Sequence, residues 1–286
     1  MDREKELTAP EYMIDLEKVS CKSGYHYLLK DVTWQVRPGE HWVVFGMNGS
    51  GKTTLLSIIA GYKHFTSGSV KIFGEEYTNE NILDIRQKIG WISTSFFDKY
   101  YSRESALDIV LSGKGGSLGL NCDVTLEDVI QAKDLLIELG LEDKIDASFD
   151  MLSKGQRQNV LIARALIADP DILILDEPCA GLDIYHRCYL FNIIEELSTR
   201  KALTIVYVTH YIEEITPLFD QALLLKNGRI FTIGETVELL TPKVMQELLG
   251  YPVEIHQEED KTYRLKIETR SILKRDWNNR KEGKLV

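Results

Sequence analysis

Apolar positions along this chain follow two periods. Residues 41–45 (His-Trp-Val-Val-Phe) form a short apolar run between Gly39 and Gly46, which predicts a buried strand. Residues 55–60 then carry helical spacing, and Gly61 stands where a helix stop belongs. Residues 172–175 and 203–208 are continuous apolar runs, as expected of strands covered on both faces of a parallel sheet. Residues 12–19 and 32–36 alternate instead, as half-buried strands do. Further strands are expected at 70–73 and 89–93. Residues 222–225 and 229–233 flank Asn227-Gly228, a strong hairpin signal.

Between residues 98 and 158 no strand pattern occurs. Residues 105–112 are helical in spacing, residues 113–123 form a glycine-rich loop, and Thr125-Leu126-Glu127-Asp128 has the form of a capping box opening a helix to Leu139. Helices are also expected at 156–168, 185–198 and 235–249, the last split by Pro242. The predicted fold class is α/β: a mixed, mainly parallel sheet, an antiparallel N-terminal flap, and an inserted helical subdomain at about 98–158. One domain spans residues 1–240. Residues 241–286 form an extension with a hairpin (253–255 and 263–265) and a basic tail.

Composition narrows this little. The chain has 286 residues, 44% hydrophobic and 27% charged, which is ordinary globular usage. No apolar run approaches the ~18 residues of a membrane span, and Met1-Asp2-Arg3-Glu4 lacks the shape of a signal peptide. Cys21, Cys122, Cys179 and Cys188 form no C-x-x-C pair, so neither a disulfide frame nor a zinc site is indicated and a reducing cytoplasm is expected. The net charge of −10 argues against nucleic acid as the main partner. Residues 261–286 nevertheless carry nine Lys/Arg against three acids, a tail that is either simply solvated or able to touch an anionic surface.

Candidate chemistry begins after the strand at 41–45. Gly46, Asn48, Gly49, Ser50, Gly51, Lys52, Thr53 and Thr54 belong to a G-x-x-x-x-G-K-T loop with strand before and helix behind, the context that such a loop requires. Its N–H groups can close round phosphate oxygens, helped by the helix N-terminus. Lys52 would reach the β- and γ-phosphates, and Thr53 would ligate Mg²⁺. The pattern suits ATP or GTP.

Phosphoryl transfer to water also needs a metal-orienting carboxylate and a group that positions the water. Asp176 follows the strand at 172–175 and would hold Mg²⁺. Glu177, next along, would orient or deprotonate the water. His210 closes the strand at 203–208 and would hold Glu177 and the γ-phosphate. Leu152-Ser153-Lys154-Gly155-Gln156 opens another helix. With Ser153 as N-cap, it forms a second helix N-terminus able to take an anion.

The loop at 46–53, Leu-Ser-x-Gly-Gln at 152–156, Ile-Leu-Ile-Leu-Asp-Glu-Pro at 172–178, Gly181-Leu182-Asp183 and Thr209-His210 occur in one order. Over residues 12 to 240 the chain resembles the nucleotide-binding subunit of an ABC (ATP-binding cassette) ATPase. The resemblance implies a P-loop NTPase core and a head-to-tail homodimer or paired subunit, with ATP and Mg²⁺ sandwiched between the loop of one copy and the signature loop of the other. Ser153, Gly155 and Gln156 then serve the partner's ATP, and Asp183 lies at the interface. An aromatic stacks on adenine; Tyr25 is expected there, with Tyr27 beside it, though both fit a turn equally. Lys154 replaces a usual glycine. Thr94 fills the place of a usual glutamine, and its hydroxyl is expected near the metal or the water.

Two readings follow from the resemblance. The leading one is an ATP-hydrolysing subunit powering a membrane permease from the inner face of the membrane. The other is a soluble ABC ATPase without a permease, acting as a regulatory or stress-related nucleotide switch, which Thr94 and the basic tail favour. A nucleotide-binding module without catalysis fits Glu177 and His210 poorly.

Overall fold

The computed structural model describes residues 10–101, 103–199 and 203–267. Most of the basic tail, from residue 268 onward, lies outside the described residues. The chain starts as an antiparallel hairpin, β1 (Ile14–Ser23) and β2 (His26–Val36), turned at Gly24 and Tyr25. Next come β3 (His41–Phe45), α1 (Lys52–Ile59), β4 (Ser67–Ile72) and the short β5 (Glu75–Glu76). These lead to α2 (Ile82–Gln87), β6 (Ile89–Ile92), α3 (Thr94–Phe97), α4 (Ala106–Ser112), α5 (Leu126–Glu138) and α6 (Lys154–Leu166). The core resumes with β7 (Ile172–Asp176), α7 (Ile184–Ser198), β8 (Thr204–Thr209), β9 (Gln221–Lys226) and β10 (Arg229–Glu235). It closes with α8 (Thr236–Leu239), α9 (Pro242–Leu249), β11 (Val253–Gln257) and β12 (Tyr263–Ile267).

The main sheet runs in the order β10-β9-β3-β8-β7-β6. All its neighbouring strands are parallel except the β9–β10 hairpin. Every residue of β7 and β8 is buried, which explains their unbroken apolar runs. Register places Phe45 beside Thr209, and Asp176 beside Val208. The phosphate loop, Glu177 and His210 therefore leave the sheet on one rim, at the carboxyl ends of its strands, where α/β sheets bind ligands. The flap is a second sheet, β2-β1-β4-β5, antiparallel throughout.

The region at 98–158 is helical, as its pattern predicts, and contains no strand among the described residues. α3 already begins at Thr94, and α6 runs on to Leu166, where it packs against β6. Arg164 anchors this region from inside α6. Its buried guanidinium donates to Tyr101 Oη (3.0 Å), Ser112 Oγ (3.2 Å) and the Ser117 carbonyl (2.9 Å), and it lies over the Phe97 ring. The helix at 126–138 opens on a full capping box between Thr125 and Asp128. Pro242 occupies the first turn of α9 and separates it from α8. The β11–β12 hairpin sits against the turn that follows His210, where the Leu265 N–H donates to Glu213 Oε1 (3.3 Å).

Candidate active site

Steric crowding dictates the glycines of the phosphate loop. A Cβ at Gly46 would lie 2.5 Å from the Leu225 carbonyl and 2.6 Å from Ser50 Oγ. Gly51 has φ +107°, and a Cβ there would meet the Leu28 carbonyl at 2.8 Å. The loop is pinned from above by the β9–β10 hairpin. Gly228 donates its N–H to the Ser50 carbonyl (2.8 Å) and accepts from Lys30 N–H (2.7 Å). The resulting cavity has a volume of about 480 Å³. It is lined by Asn48, Gly49, Gly51, Lys52, Thr53, Thr54 and Glu177, with Tyr27, Leu28, Asn227 and Gly228 on the other wall.

Lys52 is 5% exposed, yet its ammonium is well placed for anion chemistry. It donates to the Gly46 carbonyl (2.7 Å) and lies 3.1 Å from Glu177 Oε1. The same Glu177 oxygen is 3.1 Å from His210 Nδ1. One carboxylate thus stands between a fixed cation and an imidazole. Glu177 holds φ +49°, a left-handed conformation that costs a non-glycine residue of order 1–3 kcal/mol. Its N–H donates to the Val208 carbonyl (2.9 Å), so the sheet itself holds it there.

Asp176 is buried at the end of β7. Ser93, also buried, donates its hydroxyl to Asp176 Oδ2 (3.1 Å), and Thr53 hydrogen-bonds to the same carboxyl. Oδ1 is buried and has no protein partner. Burial raises the Asp176 carboxyl to about 6, against the pull of those two hydroxyls. A carboxylate with one orphaned oxygen, beside a threonine hydroxyl and a phosphate loop, is the oxygen-donor set that suits Mg²⁺. The residues present fit the ion.

Two expectations change. The Thr94 hydroxyl is engaged elsewhere: it donates to Gln158 Oε1 (2.7 Å), which ties the start of α3 to α6. The carbon backbone turns into α3 after Ser93, so consecutive residues diverge, and Ser93 is the one that reaches Asp176. Tyr25 occupies the hairpin tip and is fully exposed, whereas Tyr27 lines the cavity. Two lysines, Lys22 and Lys30, flank the Tyr27 ring at 4.6 and 4.9 Å.

Ser153, Gly155 and Gln156 do not line this cavity. They form the start of α6, where Ser153 is exposed, Gly155 buried and Gln156 half-buried, and where a capping box joins Ser153 and Gln156 in both directions (3.2 and 2.9 Å). Asp183 caps α7, accepting from the His186 N–H (2.9 Å), and pairs with His186 Nδ1 (2.9 Å). The His186 ring covers Gly155 so closely that a Cβ there would lie 2.8 Å from it. The starts of α6 and α7 are thereby fastened to each other.

Three contributors escaped sequence reading. Ser93 carries no motif. Leu28 and the Asn227-Gly228 turn look like ordinary strand and hairpin residues, because only the β3–β9 pairing brings that hairpin over the loop.

Comparison with known proteins agrees with this geometry. Residues 29–180, more than half of the chain, match the family described as ABC transporter. The chain is 39% identical over 258 residues to an uncharacterised ABC transporter ATP-binding protein, YlmA, of Bacillus subtilis (strain 168), covering 90% of this chain and 98% of that one. It is 31% identical to the manganese transport system ATP-binding protein MntB of the same organism, covering 84% and 93%. Among solved structures, the dimeric post-hydrolysis state of the ATP-binding cassette MJ0796 bound to ADP and Pi superposes with a TM-score of 0.69 at 27% identity, covering 78% and 98%. CbiO1 of Clostridium perfringens, part of the ABC transporter complex cbiONQ, gives 0.67 at 26% identity, covering 83% and 94%.

Proposed function

The chain belongs to the ABC transporter family as an ATP-hydrolysing, Mg²⁺-dependent ATP-binding subunit that powers a membrane transporter, and on that premise we propose the role of each residue at its site. The observation that carries the assignment is the single Glu177 oxygen lying 3.1 Å from both Lys52 and His210 at the mouth of the phosphate loop.

The triphosphate lies along the loop, with backbone N–H groups of residues 48–53 on its oxygens and Lys52 across the β- and γ-phosphates. Asp176 and Thr53 would hold Mg²⁺, which when bound would neutralise and align phosphate oxygens, and Ser93 steadies Asp176. Glu177 accepts a hydrogen bond from the attacking water and takes its proton as the bond to phosphorus forms. His210 keeps Glu177 aimed and lies beside the γ-phosphoryl group as it passes to water and ADP leaves with the bridging oxygen. The adenine rests on Tyr27, whose place in the cavity wall supports it over Tyr25.

The composite half of the site comes from a second copy. Ser153, Gly155 and Gln156 face the partner's γ-phosphate, and Lys154 adds a cation at a helix N-terminus, where positive charge is unfavourable until an anion arrives. Asp183, fastened to that loop through His186, lies at the interface. No described helix is long and apolar enough to cross a membrane, so translocation belongs to other chains. The subunit works at the cytoplasmic face of a permease. Residues 1–240 form the ATPase domain, and residues 241–286 a C-terminal extension.

Purified protein should hydrolyse ATP only with Mg²⁺, and Glu177→Gln should abolish turnover while leaving ATP bound. Turnover unchanged by that substitution overturns the assignment. Co-purification of an integral membrane protein from native membranes tests the permease.

A further inference from the structure

A hollow of about 450 Å³ opens next to His210 and shares no lining residue with the phosphate cavity. Phe45, Met47, Tyr211, Ile212, Leu265 and Ile267 wall it. Three of these side chains are left uncovered: Met47 is 53% exposed, Tyr211 50% and Ile267 38%. Large apolar side chains scattered singly over a surface are ordinary, but three on one concave wall form a patch that favours an apolar occupant. Among the described residues, the one acid on this wall is Glu213, whose Oε1 accepts from the Leu265 N–H (3.3 Å).

What lies within reach is the segment that follows. β12 finishes at Ile267, on the wall of the hollow, and residues 268–286 continue from there, outside the described residues. Glu268-Thr269-Arg270-Ser271 is polar, Ile272-Leu273 is apolar, and the next large apolar residue is Trp277. The five residues from Ile267 to Ile272 span at most about 17 Å. That length suffices to reverse over a wall the segment itself departs from. Tethering also holds the apolar pair near the hollow at an effective concentration of order millimolar, so ordering costs little. Charge acts in the same direction. Residues 268–286 carry six Lys/Arg against three acids in a chain whose net charge is −10. Arg270, Lys274 and Arg275 bracket the apolar pair and complement the Glu213 carboxylate.

We propose that Ile272 and Leu273 seat in the hollow beside His210 of their own chain. The extension then gains a task apart from the composite site: it covers Met47 of the phosphate loop and the turn that carries His210. Seating needs no second copy and no membrane partner, because the occupant is already attached to the wall. The head-to-tail reading above can fail without touching it.

The test uses the full chain. Leu273→p-benzoylphenylalanine, irradiated in dilute solution, should cross-link within its own chain to peptides containing residues 45–47, 210–213 or 249–251, identified by mass spectrometry. Adding Ile267→Asp should remove that cross-link. A band of dimer mass in its place gives the hollow to the segment of a second copy and overturns the proposal, as do cross-links that avoid the hollow. Hydrogen exchange supplies an independent readout. Ile272→Asp with Leu273→Asp should speed amide exchange at residues 210–213 by about tenfold or more, while β7 and β8 stay protected and show that the variant is folded. Exchange at 210–213 at the native rate overturns the proposal and leaves the hollow to another protein.

Discussion

Ser93 donates its hydroxyl to Asp176 Oδ2 at 3.1 Å, while Thr94, the next residue, donates to Gln158 Oε1 at 2.7 Å. The two residues that follow β6 thus divide their hydroxyls between Asp176 and α6. Ser93→Ala is expected to raise the Mg²⁺ concentration for half-maximal ATP hydrolysis. Thr94→Val should leave that concentration unchanged and cost about 1 kcal/mol of stability. Magnesium titrations of activity and urea unfolding of both variants distinguish the two roles.

Glu177→Gln keeps the size and shape of the side chain and removes its basicity. Turnover should fall by about 10²–10⁴, the usual worth of a positioned base. Calorimetric ATP affinity should hold. Lys52→Ala should do the reverse in emphasis, losing ATP affinity itself, because its ammonium is the cation buried in the loop.

A buried carboxylate holds the turn that presents His210. Glu214 Oε2 accepts from the Tyr207 hydroxyl (3.1 Å) and the Thr209 hydroxyl (2.5 Å), and burial raises its carboxyl above the usual range. Glu214→Ala leaves both hydroxyls without that acceptor, at a cost of about 1–3 kcal/mol. Thermal melts should show the loss, and Glu214→Gln should recover part of it. Hydrolysis should weaken in step.

Asp128 gives a pH signature to the helical region. Hydrogen bonds from the Thr125 backbone, Lys114 and the Thr125 hydroxyl lower its carboxyl from 3.8 to about 2. The contribution to stability is therefore fully present above the ordinary carboxylate value and disappears as pH falls through about 2. Acid titration of unfolding should show a stability difference between the native chain and Asp128→Asn at neutral pH that shrinks across that window.

Much of this was readable from the residues because the signals were local. The apolar run before Asp176, the glycines of the loop, the Asn-Gly hairpin and the Thr125 box each specify their own geometry within a few positions. α2 and the short α3 were not readable: neither is long enough to show a helical period. Tyr25 and Tyr27 stand two apart in a turn whose exact reversal point decides which one lines the cavity. Ser93 was hidden for a different reason. A serine after a strand is common, and its partner Asp176 is brought to it only by the parallel pairing of β6 with β7.

The position of β3 has a further consequence. Among the described residues, the strand that leads into the phosphate loop pairs with β8 and β9, residues 204–209 and 221–226, and with no strand made earlier. A ribosome has released the loop long before either neighbour exists. The N-terminal flap, whose strands all lie within residues 14–76, can form at once, but the nucleotide site must wait for most of the polypeptide. Nascent chains halted before residue 204 should have no assembled binding pocket, because neither neighbour of β3 has yet been made.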